Sequence, residues 1–131
     1  PAGQLYLPVE SDLAVRTVAD QEADPDSRLN AVRALIALRH AHPALHNDTD
    51  YSVVYAQPGH YPFAFLRQGG GESVLVVLNP AGRDVEVDLP ADALPGSAAP
   101  QTLWGAAGGL TRQAEGWKIA LPGVSAGIYK L

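Results

Sequence analysis

The sequence predicts a mainly β protein, an antiparallel β-sandwich that a loop and a single α-helix precede. Residues 51–131 contain eight short segments rich in Val, Tyr and Phe, with Gly, Pro and Asn between them. Seven or eight such strands in about 80 residues are typical of a sandwich. The distribution of charged residues also divides the chain into two parts. Residues 1–50 carry 4 basic and 8 acidic side chains, a balance of −4, whereas residues 51–131 carry 5 and 6, a balance of −1.

Composition excludes several classes of function. The 131 residues have 9 Lys and Arg against 14 Asp and Glu, a net charge of −5, so we expect no nucleic-acid partner. No apolar run approaches the ~20 residues that span a bilayer, and we expect no membrane partner. With 0 Cys, a disulfide framework and a thiolate nucleophile are excluded, and we expect a cytoplasmic protein. With 0 Met, we expect the chain to be a fragment of a longer one.

The single helix is predicted over about residues 25–41. Asp24 is expected to accept the first free amides, and Pro25 suits the opening turn because its φ is preset. His42 precedes a proline, which disfavours the α conformation and ends the helix. Residues 1–23 have no sustained apolar period and are expected to form a loop.

The helix has an apolar arc of roughly 160°, wider than the ~100° stripe of an ordinary surface helix. The arc consists of Leu29, Ala31, Val32, Leu35, Ile36 and Leu38. Such a width suits a helix that touches two surfaces, and we expect self-association through Leu29, Val32, Leu35 and Ile36 where one surface is missing.

The strands follow in order. They are predicted at residues 51–56, 62–66, 74–78, 84–89, 101–104, 110–113, 116–121 and 126–131. In the fourth strand Val85, Val87 and Leu89 alternate with acidic residues, which predicts a half-buried strand. The third strand, VLVVL, has no alternation and is predicted to be central and covered on both faces.

Three stretches together resemble the C-terminal end of an α-amylase superfamily enzyme, glycoside hydrolase family thirteen. They are EADPDSRLNAVRALIALRHAHPAL, SVLVVLNPAGRDVEVDLP and SAGIYKL. QLYLPV at residues 4–9 resembles a segment of the oligo-1,6-glucosidase and α-glucosidase branch, without the Trp of that segment. The resemblance implies that residues 1–46 are the end of the catalytic (β/α)8 barrel, with its last helix, and that residues 47–131 are the C-terminal sandwich of Greek-key type.

The resemblance also implies a retaining parent enzyme whose Asp nucleophile, Glu acid/base and further Asp lie upstream of this segment. We therefore expect no catalytic, cofactor-binding or metal-binding residue in this chain, and no cofactor. The expected function is that of a non-catalytic, stabilising domain of an α-glucoside-active hydrolase or transglycosidase, with the parent's own barrel as partner. The alternatives are an independent carbohydrate-binding module and a helix-mediated oligomerisation domain.

Two polar clusters invite a metal interpretation. The acids are Asp20, Glu22, Asp24 and Asp26, which lack the Gly and later Glu of a calcium loop. We expect helix capping and a solvated loop. The imidazoles are His40, His42 and His46, which lie where the helix ends without a carboxylate at zinc spacing. A structural role is again expected, and His60 lies in a Pro-Gly turn.

Other residues are expected to be structural too. Gly69-Gly70-Gly71 lacks the Lys and helix of a phosphate loop, which predicts a flexible hairpin connection. Ser73 and Ser125 have no nucleophile-elbow context. The large aromatics are Trp104, Trp117, Tyr51, Tyr55, Tyr61 and Tyr129. Because aromatic rings dominate ordinary cores, we expect these rings to be core and sugar binding to be weak or absent, with a surface sugar site as the alternative.

Overall fold

The computed structural model describes residues 17–131 except Ser97. The chain forms two compact units, of which the first ends at Ala37 and the second runs from Leu38 to Leu131. The resemblance at residues 4–9 lies outside the described residues, as does the part of the expected loop over residues 1–16.

Two helices precede the strands: α1 covers Val18–Ala23 and α2 covers Arg28–Ala41. The expected loop over residues 1–23 is therefore wrong over α1, and so is the expectation of a single helix. A capping box begins α1. The Thr17 hydroxyl oxygen accepts a hydrogen bond from the Asp20 backbone N at 3.2 Å, and the Asp20 carboxylate accepts one from the Thr17 backbone N at 3.0 Å. These bonds satisfy amides that a short helix otherwise leaves without partners.

The start of α2 also differs from the prediction. Asp24 does not cap α2, because its Oδ1 accepts from the backbone N of Asp26 at 3.0 Å in the turn before the helix. Ser27 is the cap, since its Oγ accepts from the backbone N of Asn30 at 3.2 Å. The helix therefore begins after Ser27 and not at residue 25.

The end of α2 is as predicted. The helix ends at Ala41, and His42 is extended with φ −117°. A single 3-10 turn, Pro43–Leu45, follows. Ala44 in this turn is buried, and the turn contacts the second and third strands of the sheet described next.

Eight strands form two antiparallel sheets. They are β1 Asp50–Gln57, β2 His60–Gly69, β3 Glu72–Asn79, β4 Val85–Pro90, β5 Gln101–Gly105, β6 Leu110–Gln113, β7 Gly116–Leu121 and β8 Ser125–Lys130. The first sheet has the order β1-β2-β3-β8-β5 and the second has β4-β7-β6. All pairs are antiparallel, and the crossings between the sheets are those of a Greek-key sandwich. The predicted fold class is confirmed.

The core lies between the inner faces of the two sheets. The first sheet contributes Ala64, Leu66, Leu75, Val77 and Tyr129, and the second contributes Leu89, Leu110, Trp117, Ile119 and Leu121. The fourth strand is half buried as its alternation predicts. The third is central as predicted, but coverage on both faces fails at Leu78, which is 38% exposed.

Asn79 fastens the end of β3 to the second sheet. Its side chain is fully buried. The Nδ2 group donates to the carbonyl oxygens of Pro122 at 2.7 Å and Arg83 at 2.9 Å, while Oδ1 accepts from the backbone N of Ala81 at 3.2 Å. One amide thus holds the loop after β3 and the loop after β7 together.

Tyr129 fastens β8 to the turn after β5. Its ring is fully buried and its hydroxyl donates to the Ala106 carbonyl oxygen at 2.8 Å. Burial raises the pKa of the Tyr129 hydroxyl to about 12. The ring lies where a Cβ on Gly127 would be, so the glycine leaves the space that the tyrosine fills.

Candidate functional site

The first sheet carries an apolar surface on the side away from the core. We call it the outer apolar face; its residues are Tyr51, Val53, Phe63, Phe65, Val76 and Leu78, which neighbour one another through the β1–β2–β3 register. The rings of Tyr51 and Phe65 have centroids 5.2 Å apart, and those of Phe63 and Phe65 are 5.7 Å apart. Tyr51 is 53% exposed and Val53 52%. Isolated exposed apolar residues are ordinary, but a contiguous set marks an interaction surface.

The expectation that the aromatic rings are core is right for some and wrong for others. Trp117 and Tyr129 are fully buried in the core, and Tyr55 packs partly against it. Tyr51 and Tyr61 are exposed, at 53% and 46%. Trp104 is half-buried on β5. The alternation of β1 and β2 predicts which residues share a face, but not that this face stays open.

A groove lies at the tip of the β1–β2 hairpin. We call it the hairpin groove; it has a volume of about 480 Å³ and is lined by residues 56–63. Tyr61 stands at it with its exposed ring. Gln57 and His60, both exposed, supply an amide and an imidazole. The sequence interpretation assigned no role to His60 and did not consider Gln57; the available signal was the polar pair flanking the Pro-Gly turn.

The acidic cluster has structural roles in the structure. Asp20 belongs to the capping box of α1, and Asp24 accepts from the Asp26 amide in the turn before α2. Glu22 forms an exposed ion pair with Arg33, with Oε1 and Nη2 2.8 Å apart. Exposed pairs of this kind contribute little stability.

The three imidazoles do not converge. His40 and His46 are exposed, whereas His42 is half-buried with Nδ1 3.3 Å from Oε2 of Glu72. Lys130 donates to Oε1 of Glu72 at 2.7 Å. This hydrogen bond is the main cause that lowers the pKa of the Glu72 carboxyl. Over residues 17–131 without Ser97, no three His, Cys, Asp or Glu side chains form a group that could hold a metal ion.

The glycine candidates lie where β2 turns into β3, and the two serines lie near the starts of β3 and β8. Gly70 and Gly71 form the turn between β2 and β3 with φ +58° and +78°, which suits a tight turn. The hairpin is as predicted, whereas its flexibility stays a prediction. The Ser73 hydroxyl accepts from Gln68 at 3.1 Å. The Ser125 hydroxyl donates to the Pro122 carbonyl oxygen at 2.6 Å. Both serines therefore take part in local structural contacts.

The antiparallel sandwich is the C-terminal β domain of the α-amylase superfamily. Solved enzymes of that superfamily match it. A trehalulose synthase MutB A258V variant in complex with Tris has a TM-score of 0.72 and 28% identity, over 96% of this chain and 22% of that chain. An α-amylase from Geobacillus thermoleovorans complexed with acarbose has a TM-score of 0.69 over 82% of this chain and 23% of that chain; at 21% identity it shows the fold alone.

Residues 51–128 match the family model for the maltogenic amylase C-terminal domain, and the chain belongs to this family. A protein of Rhizobium meliloti (strain 1021) described as a probable alpha-glucosidase is 32% identical over 85 residues, which is 65% of this chain and 15% of that protein. The resemblance to glycoside hydrolase family thirteen is thereby confirmed. The chain spans less than a quarter of the length of these relatives.

No helix within the described part of the chain is long and apolar enough to cross a membrane.

Proposed function

We propose that the chain is the non-catalytic C-terminal domain of a retaining α-glucoside-active hydrolase or transglycosidase, and that it covers and stabilises the catalytic (β/α)8 barrel of its own polypeptide. In this proposal residues 1–46 are the end of the barrel and residues 47–131 are the β domain. The chain by itself is not an enzyme, and its parent acts in the cytoplasm.

The outer apolar face is the observation that carries this proposal. The sandwich already has a complete core between its sheets, so the outer apolar face adds nothing to that core. Burying a side chain such as Val or Phe stabilises by about 1.5–3 kcal/mol, which a partner surface gains on docking. The relatives indicate which surface packs on the outer apolar face. The region that matches this chain is about a fifth of each solved enzyme, so the rest of the same polypeptide is available to cover the face.

The segment that leads into the sandwich also supports docking on the outer side of the first sheet. The 3-10 turn Pro43–Leu45 contacts β2 and β3, with Ala44 fully buried. Val74, whose side chain is on the outer side of β3, is also fully buried. The segment that follows α2 therefore already lies against the outer side of the first sheet, at the end where β3 begins.

The helix supports a second, weaker candidate function. Neither α1 nor α2, both within the described residues, contains a buried residue, and Val32 and Ile36 are 53% and 52% exposed. In the isolated chain this apolar arc fits self-association through Leu29, Val32, Leu35 and Ile36. In the parent, the same arc would pack against barrel neighbours.

The test places a charge on the outer apolar face in the whole parent enzyme. Val53→Glu is expected to lower the melting temperature and the active fraction of the parent, because a buried unpaired carboxylate costs more than the ~1–3 kcal/mol of a neutral polar group. In the isolated chain the same change should have little effect, since Val53 is 52% exposed there.

The matched control is Thr111→Glu, on an exposed position of the second sheet. If both substitutions destabilise the parent equally, the outer apolar face is not the docking surface. Turnover of an aryl α-glucoside by the purified chain itself would contradict the non-catalytic part of the proposal.

A further inference from the structure

We propose that the hairpin groove is a secondary carbohydrate-binding site that takes one uncharged pyranose unit of an α-glucoside. This inference rests on the proposed function, because only a carbohydrate-active parent brings the ligand close. The groove adjoins the outer apolar face and shares Phe63 with it, but it adds polar groups at the hairpin tip, and the inference assigns roles to Tyr61, Gln57 and His60.

The shape and walls of the groove suit a sugar ring. Its volume is about 480 Å³, and Pro58, Pro62 and Phe63 contribute apolar walls beside Tyr61. A pyranose has an apolar C–H face and a rim of hydroxyls. Tyr61 is 46% exposed, so its ring has an open face on which the apolar side of a sugar can stack. Aromatic rings that keep one side wet are suited to such amphipathic ligands.

The polar groups at the groove can both donate hydrogen bonds to sugar hydroxyls and accept hydrogen bonds from them. Gln57 carries an amide that both donates and accepts, and the Tyr61 hydroxyl does the same. His60 has Nδ1 3.1 Å from the carbonyl oxygen of Pro58. Because a carbonyl only accepts, Nδ1 is the donor in this bond, which leaves Nε2 for a hydrogen bond with a ligand hydroxyl.

The charge of the lining selects the class of ligand. Residues 56–63 contain no Asp, Glu, Lys or Arg, so nothing in the groove compensates a phosphate, a carboxylate or an ammonium group. A charged ligand would lose its hydration without gaining a partner. An uncharged ligand with an apolar face and several hydroxyls meets complementary groups instead.

Gln57, His60 and Tyr61 all lie at the same end of the hairpin and line the same groove. Gln57 and His60 are directly paired across the end of β1 and β2, and the turn between them is Pro58-Gly59 with Gly59 at φ +75°. A residue other than glycine is strained at this φ. One stacking ring and three hydrogen-bonding groups in an open groove predict weak binding, with a Kd of about 1–10 mM.

The experiment titrates the isotopically labelled chain with maltose to about 50 mM and follows backbone amide shifts by NMR. We expect saturable shifts confined to residues 56–63 and their neighbours. Sorbitol, an acyclic polyol without an apolar ring face, should give none at the same concentration. Tyr61→Ala should weaken binding by at least about tenfold, since stacking is lost. Tyr61→Phe should keep most of it.

Tyr51→Ala is the matched control, because Tyr51 is exposed to a similar extent on the same sheet but does not line the groove. It should leave the Kd unchanged. Gln57→Ala changes an exposed side chain and provides a second test of the groove. It should weaken maltose binding several-fold, and it remains informative if Tyr61→Ala fails to fold.

Absent or unsaturable shifts, shifts centred elsewhere, equal effects of Tyr51→Ala and Tyr61→Ala, or equal responses to sorbitol would each overturn the proposal. None of these outcomes touches the docking role, which Val53→Glu tests in the parent. Conversely, a parent unaffected by Val53→Glu would leave maltose binding at the hairpin groove standing.

Discussion

The buried amide of Asn79 should be one of the most sensitive positions in the sandwich. Asn79→Ala removes three hydrogen bonds, two donated at 2.7 and 2.9 Å and one accepted at 3.2 Å. The contact with the Leu121 carbonyl oxygen at 3.4 Å is too long to count for much. A neutral hydrogen bond contributes about 1 kcal/mol net, and each partner left buried adds to the loss.

We therefore expect the free energy of unfolding to fall by about 3 kcal/mol in Asn79→Ala, out of the ~5–15 kcal/mol that domains usually have. Urea unfolding followed by tryptophan fluorescence measures this, because Trp117 is fully buried in the core. Gln68→Ala is the control. It removes an amide that makes one exposed hydrogen bond, to Ser73, and should cost less than about 0.5 kcal/mol.

A loss below about 1 kcal/mol in Asn79→Ala, or equal losses in the two variants, would mean that the three hydrogen bonds of Asn79 do not stabilise the sandwich to this extent. A change in the urea dependence of unfolding would point to an altered denatured state instead. An unchanged urea dependence with a lower midpoint is the expected pattern.

Three further predictions concern other contacts. Tyr129→Phe should lower the free energy of unfolding by about 1 kcal/mol at neutral pH, since one buried hydrogen bond is lost, and absorbance titration of the wild type should show this tyrosine ionising near pH 12. Because the pKa of Glu72 is lowered in the folded chain, its stabilisation is present above the ordinary value of 4.5 and disappears as pH falls through the folded value; thermal unfolding of Glu72→Gln should therefore approach the wild type on acidification. Light scattering should find the wild type self-associated and the Leu35→Asp, Ile36→Asp double variant monomeric, whereas a monomeric wild type would contradict association through α2.

Strand positions were accessible from the sequence because each strand is bounded by strong turn residues. The alternation of Val85 and Val87 with acids and the Gly70-Gly71 turn are local signals, and the structure has both where they were expected. The eight predicted strands are all present with bounds shifted by at most a few residues.

The two helix errors have local causes as well. α1 is too short for an apolar period to be visible, and its signal was the capping pair Thr17 and Asp20. At α2 the error concerns the capping residue. Asp24 was expected as the cap, and Ser27 was not considered. In the structure Asp24 accepts from the Asp26 amide, and the Ser27 hydroxyl accepts from the amide of Asn30.

The candidate site was less accessible. Periodicity tells which residues share a face of a sheet, but the exposure of Tyr51 and Tyr61 depends on whether another polypeptide surface covers that face. The hairpin groove depends on the pairing of Gln57 with His60 across the turn, for which the signal in the sequence is the polar pair flanking Pro58-Gly59.

The position of β8 has a consequence for how the domain is made. β8 pairs with β3 on one side and with β5 on the other, so it is the strand that joins β5 to the rest of the first sheet. Synthesis runs from β3 towards β8, and both neighbours leave the ribosome with an open edge before their common partner exists. Pairing between distant segments is slow, and open strand edges are prone to aggregation. The interval between the emergence of β5 and that of β8 is therefore when a nascent chain of this family is most exposed to misassociation.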